Sequence, residues 1–180
     1  MTIADRTRRA SSDRRDSWIV ASLALIVVCV SAVLALAATP VAKLTVGGEV
    51  SNPLVLDDGD IAAFGEQTVN VIDEKGSPVS YAGVPVAAIL AKAGAPLGKD
   101  LRGPNMALGV LAKASDGYQV LFPLSEFDPA FSDRTVMLVD RRDGKPLDSR
   151  EGPFRLVVPG DKRHARWIRR ITSLDVVKPH

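Results

Sequence analysis

From Trp18 to Ala38 the chain reads WIVASLALIVVCVSAVLALAA, 21 residues without a charge. A helix needs about 20 such residues to cross a bilayer's hydrocarbon core. A helix buried in a globular core is the alternative, but no face of this run is polar and it follows an arginine-rich start. Arg6, Arg8, Arg9, Arg14 and Arg15 precede it, against Asp5, Asp13 and Asp16. That bias orients the amino terminus toward the cytoplasm. The expected organisation is a basic cytoplasmic segment over 1–17, a transmembrane anchor or signal segment over 18–38, a linker over 39–42, and a folded domain over 43–178. The domain is then placed on the extracytoplasmic side, periplasmic or cell-surface. Ala35-Leu36-Ala37 resembles a signal-peptidase site, and cleavage there would make the domain secreted. The apolar run exceeds the usual signal core of about 7–15 residues, which favours an uncleaved anchor. Arg8-Arg9 and Arg14-Arg15 suggest twin-arginine export, but neither pair has that signal's usual continuation.

The net charge of +2 resides in the amino-terminal segment; the rest carries as many acidic as basic side chains. A balanced domain with nine aromatic residues is poorly suited to nucleic acid. The one cysteine, Cys29, lies inside the apolar run, so no disulfide or exported thiol is expected. With two histidines, His164 and His180, no metal site is expected either.

Beyond Val41, strand-like runs alternate with turn signals. Strands are expected at Lys43–Val50, Thr68–Ile72, Met106–Ala112, Tyr118–Phe122, Thr135–Asp140, Phe154–Pro159 and Ser173–Val177. Asp116-Gly117 reads as a hairpin turn. Asp57 is placed to cap a short helix reaching Phe64. A second helix is expected over Val84–Ala93, where Val86, Ile89, Leu90 and Ala93 share one face. A third helical turn is expected at Ser125. With strands dominant, helices short and no βαβ spacing, the class is α+β with mixed or antiparallel sheets.

The catalytic inventory is thin. No G-x-S-x-G, H-E-x-x-H or P-loop is present. The densest chemistry is Arg155 followed by PGDKRHARWIRR over 159–170, where 162–170 hold five Lys or Arg and no acid. A glycine turn beside guanidinium groups suits an anion such as phosphate. The alternative is a solvated loop anchored by Trp167 and Ile168. Ser115-Asp116-Gly117-Tyr118 is a second candidate, with a plain hairpin turn as its alternative.

The strings LTVGGEVSNPLVLDDGDIAAF, VSYAGVPVAAILAKAG, ASDGYQVLFPLSEFDP and VMLVDRRDGKPLDSREGPFRLVVPGDKRHARWIRRI resemble, in order and spacing, the molybdopterin-binding domain of the sulfite oxidase superfamily. The resemblance spans about residues 43–178. It implies a mixed, strand-dominated α+β fold that cradles molybdopterin, and an oxidoreductase-like function. It further implies Arg155, Gly160, Lys162, Arg166 and Trp167 near the cofactor's phosphate or pterin, with Asp116 and Tyr118 on the substrate side. A membrane redox partner is a further expectation. Complete members supply a metal-ligating cysteine after an early strand; the matching stretch, Val69–Asp73, has none. The reading that follows is a molybdopterin-binding module that need not catalyse by itself. Its alternative is a cofactor-free module that takes another anion or a redox-complex partner.

Overall fold

The computed structural model describes residues 42–179. The expected anchor, Cys29 and the export signals lie outside them. Among the described residues, no helix is long and apolar enough to cross a membrane. The fold is a strand-dominated mixed α+β arrangement of two sheets.

The first sheet contains β1 (Leu44–Gly48), β2 (Leu54–Leu56), β5 (Gly109–Ala114), β6 (Gln119–Pro123) and β10 (Ile171–Val177), in the order β2-β1-β10-β5-β6. β1 and β10 are parallel, so the two ends of the domain meet at its centre; the other neighbours are antiparallel. The second sheet runs β3 (Gln67–Ile72), β4 (Pro78–Pro85), β7 (Met137–Arg142), β8 (Lys145–Pro146), and β9 (Arg155–Val157) also pairs with β7. Leu44, Val46, Val110, Phe122 and Leu174 of the first sheet join Val79, Tyr81, Leu138 and Leu156 of the second in one buried apolar cluster.

Helix α1 (Asp58–Ala62) is capped as its sequence suggests: the Asp57 carboxylate accepts from the Asp60 amide at 2.9 Å, and the Asp60 carboxylate accepts from the Asp57 amide at 3.1 Å. Helix α2 (Val86–Lys92) buries Val86, Ile89 and Leu90 completely, and Ala93 just past it. The expected turn at Ser125 is a 3-10 segment, Leu124–Phe127. The Asp116-Gly117 turn joins β5 to β6, with Gly117 at φ 87°.

Several sequence expectations need correction. Met106 and Ala107 lie in a 3-10 segment, Gly103–Ala107, so the strand expected from Met106 begins at Gly109. Val84 and Pro85 end β4 rather than begin a helix, because both pair with β7. β4 itself had no counterpart among the expected strands; its Gly and two prolines mask an alternating buried pattern. The expected strand 154–159 is only three residues long, since β7 ends its pairing at Val157. Gly83 explains part of this geometry. A Cβ there would collide with the Leu138 carbonyl, so only glycine permits the irregular β4–β7 register.

Candidate functional site

Between the β3–β4 turn, the end of β7 and the segment entering β9 lies a central cleft of about 270 Å³. Lys75, Arg142, Arg150, Arg155 and Arg169 line it, with Asp73, Glu74, Glu151, Tyr81 and His164. Five fixed cations line it with three carboxylates, an excess of positive charge that Asp143 and Asp148, paired with Arg142 and Arg150 at its rim, partly offset. It shares Arg142, Arg150, Glu151 and Arg169 with a neighbouring cleft of about 520 Å³ that also takes in Lys145, Asp143 and Asp148. Asp73, Glu74 and His164 carry it into another of about 640 Å³ that includes Lys162 and Arg163.

Each wall has a local cause. Asp73 closes the β3–β4 turn: its Oδ1 accepts from the amides of Lys75 and Ser77, both at 2.9 Å. Its Oδ2 accepts from Arg142 at 3.2 Å. The Ser77 amide, then that of Lys75 and the Arg142 guanidinium, hold the Asp73 carboxyl below the ordinary carboxylate range. Asp148 is held low in the same way by the Arg150 amide and shapes the loop before β9.

Arg155 forms the floor. It is 3% exposed and lies over the rings of Tyr81 and Trp167, 5.5 and 5.6 Å from their centroids. Its Nη1 donates to Glu151 at 2.6 Å and to the Tyr81 hydroxyl at 3.1 Å. Its Nε is buried without a partner. His164 stacks on Trp167 with centroids 3.6 Å apart and planes 12° from parallel.

The structure separates residues that the resemblance groups together. Arg155 and Lys162 line clefts that adjoin through Asp73, Glu74 and His164. Arg166 turns the other way. Its Nε and Nη2 donate to Asp161 at 3.0 and 2.7 Å, its Nη1 to Glu126 at 2.9 Å, and it lies over Phe122 of the first sheet. Two carboxylates neutralise it, so it braces the 159–166 loop instead of converging with Arg155. Trp167 is 4% exposed, and its indole N–H donates to the Val158 carbonyl at 3.0 Å. Gly160, at φ 86°, lies in the preceding turn near Arg134. Asp116 accepts from the Tyr118 amide at 3.1 Å and from Arg170 at 2.6 Å, the amide first among the causes that lower its carboxyl pKa. Tyr118 is half exposed and donates its hydroxyl to the Ala165 carbonyl at 2.9 Å. Asp116 and Tyr118 line a smaller cleft of about 220 Å³ with His164 and Arg169.

The sequence reading assigned no site role to Arg142, Glu151 or Tyr81. Arg142 had a local signal, a charged pair at the end of an apolar strand. Tyr81 meets Arg155 across 74 residues, which no local pattern reports. Among the described residues, no group of three His, Cys, Asp or Glu is arranged to hold a metal ion.

Residues 36–180 match the family described as the oxidoreductase molybdopterin binding domain. No curated protein sequence matches the chain significantly. Among solved structures, sulfane dehydrogenase SoxCD from Paracoccus pantotrophus is similar, with a TM-score of 0.60 and 23% identity. That match covers 77% of this chain and 38% of the other.

Proposed function

The chain belongs to the oxidoreductase molybdopterin-binding domain family, and from that premise we propose that it is a membrane-tethered, extracytoplasmic module holding the phosphate-bearing pterin of molybdopterin in its cationic trough. One observation carries the reading: Arg155 is buried beneath a cleft in which fixed cations outnumber carboxylates. Burying a guanidinium is costly unless partners compensate it; Glu151 pairs with Arg155, and with Asp73 and Glu74 it still falls short of the five cations that line the cleft. The tether is supported by the uncharged run over 18–38 and the arginines before it.

The residues present fit the anionic part of the group. Arg142, Arg155 and Arg169 would meet the phosphate, with Lys162 at the adjoining cleft. Arg166 holds the loop carrying Lys162 and His164, and Trp167 with Gly160 shapes its ends. Asp116 and Tyr118 border the smaller cleft, which shares His164 and Arg169 with the central one and is the place proposed for a substrate. When bound, molybdopterin supplies the redox chemistry of its metal.

The donor set does not fit a thiolate-held metal. The described residues contain no cysteine, and Asp73 is occupied by two amides and a guanidinium. Soft thiolate is the ligand type suited to such a metal, so no catalytic step is assigned to this chain. This observation favours the second reading: a cofactor-free module of the same fold that takes another anion or docks on a membrane redox partner.

The test is purification of the full chain from the membranes of its native host, with elemental analysis and fluorescence of any pterin released by acid. The proposal expects a pterin close to one per chain, and protease sensitivity of 43–178 from the extracytoplasmic face. A chain without pterin leaves the cofactor-free reading; a domain protected from external protease overturns the topology.

A further inference from the structure

Tyr81 lies in the Tyr81-Ala82-Gly83-Val84-Pro85 string on β4, and its side chain reaches the central cleft. The residue is 1% exposed. Its hydroxyl oxygen accepts from Arg155 at 3.1 Å, and its proton has no acceptor among the described residues. Tyr118 differs, because its proton goes to the Ala165 carbonyl at 2.9 Å. A buried donor without an acceptor is destabilising, and a ligand oxygen in the cleft would recover that cost. Arg155 takes a lone pair of the hydroxyl, which leaves the proton available to a ligand oxygen in the cleft that Tyr81 lines.

We propose that Tyr81 is a ligand-binding residue of the central cleft, its hydroxyl donating to an oxygen of the bound anion and so selecting phosphate-like oxyanions over anions that accept hydrogen bonds poorly. The inference rests on the reading of the cleft as an anion site. The cations lining it attract any anion; the phenol adds direction and discriminates by acceptor strength. Burial raises the phenol's pKa above its ordinary value, which keeps the proton in place across the physiological range. The ring edge against Trp167, 6.2 Å between centroids, fixes where the hydroxyl sits. Free phosphate and a pterin's phosphate present the same oxygens to this donor.

The experiment measures binding of inorganic phosphate and of perchlorate to the full chain in detergent, for wild type and Tyr81→Phe. Phenylalanine keeps the ring and removes only the donor. The proposal expects phosphate affinity to fall about tenfold while perchlorate affinity stays within twofold, so the preference for phosphate collapses. If Tyr81 merely positioned Arg155, both anions would weaken together, and that result overturns the proposal. Equal phosphate affinity in the two proteins also overturns it while leaving the cationic cleft intact. If wild type binds no phosphate, the anion reading and this inference fail together. A second measurement uses Tyr118→Phe, which leaves Tyr81 as the sole phenol. Saturating phosphate should delay the phenolate absorbance to higher pH more than perchlorate does, and an equal effect of the two anions counts against the hydrogen bond. Pterin content of Tyr81→Phe from the native host separates the sources: a fall assigns the oxyanion to the cofactor, and an unchanged content beside weakened phosphate binding assigns it to a free anion.

Discussion

Replacing Arg155 with alanine should unfold this domain more readily than any change at the exposed arginines. The guanidinium is 3% exposed, 2.6 Å from Glu151 and 3.1 Å from the Tyr81 hydroxyl, and lies over two aromatic rings. Removing one partner of a buried pair typically costs about 3–5 kcal/mol, and here it leaves Glu151 only the more distant Arg142 guanidinium at 3.7 Å. For a domain of this size each kcal/mol lowers Tm by about 4 °C, so a fall of roughly 10–20 °C is expected. The assay is thermal unfolding of the full chain in detergent, followed by far-ultraviolet circular dichroism. The double variant Arg155→Met/Glu151→Leu, which removes both charges and keeps volume, should recover most of the loss. Arg150→Ala, an exposed side chain paired with Asp148 at 3.3 Å, should shift Tm by no more than about 2 °C. A Tm for Arg155→Ala within about 3 °C of wild type would refute the reasoning, because it would mean that Arg155 is not tied into the core.

Trp167→Ala should cost about 3–5 kcal/mol, since it removes a buried ring that stacks on His164 and whose N–H satisfies Val158; urea denaturation reads the change in midpoint. Gly83→Ala should abolish soluble expression or lower Tm sharply, because the new methyl collides with the Leu138 carbonyl and the Val139 backbone. Asp73 has its carboxyl pKa lowered in the fold, so the stability it contributes is complete above the ordinary carboxylate value and is lost as pH falls through the lowered one. Asp73→Asn should therefore flatten the acid limb of stability against pH, measured as Tm between pH 2 and 6, on the order of the carboxylate range; an unchanged acid limb would contradict the assignment.

Much of the fold was legible because its signals are local. Apolar alternation located β1, β3, β5, β6, β7, β9 and β10 to within a few residues, and Asp57 and Asp116-Gly117 announced their cap and turn. β4 escaped because its pattern is interrupted by Gly83 and bounded by Pro78 and Pro85, residues that read as breakers when pairing partners are unknown. The family was legible from the order of the four strings, and residues 36–180 match it. The site was legible only as a basic run. The family resemblance placed Arg155 and Arg166 together near the cofactor. Folding turns them apart, Arg155 on β9 and Arg166 in a 3-10 segment against Phe122, since Asp161 and Glu126 claim Arg166 while Glu151 and Tyr81 claim Arg155. The electropositive centre depends on Arg142, which reaches Asp73 across 69 residues. Such pairings follow from strand register, and register is set by the whole sheet.

The central claim is that guanidinium groups around one cleft retain a phosphate-bearing pterin. Its most direct test is the pterin content of the full chain purified from the native host, for wild type and for Arg142→Glu/Arg169→Glu. The account predicts a pterin close to one per chain in wild type and its near-complete loss in the charge-reversed variant, with Tm reported alongside to show that the variant is folded. Equal pterin content in the two folded proteins would contradict it.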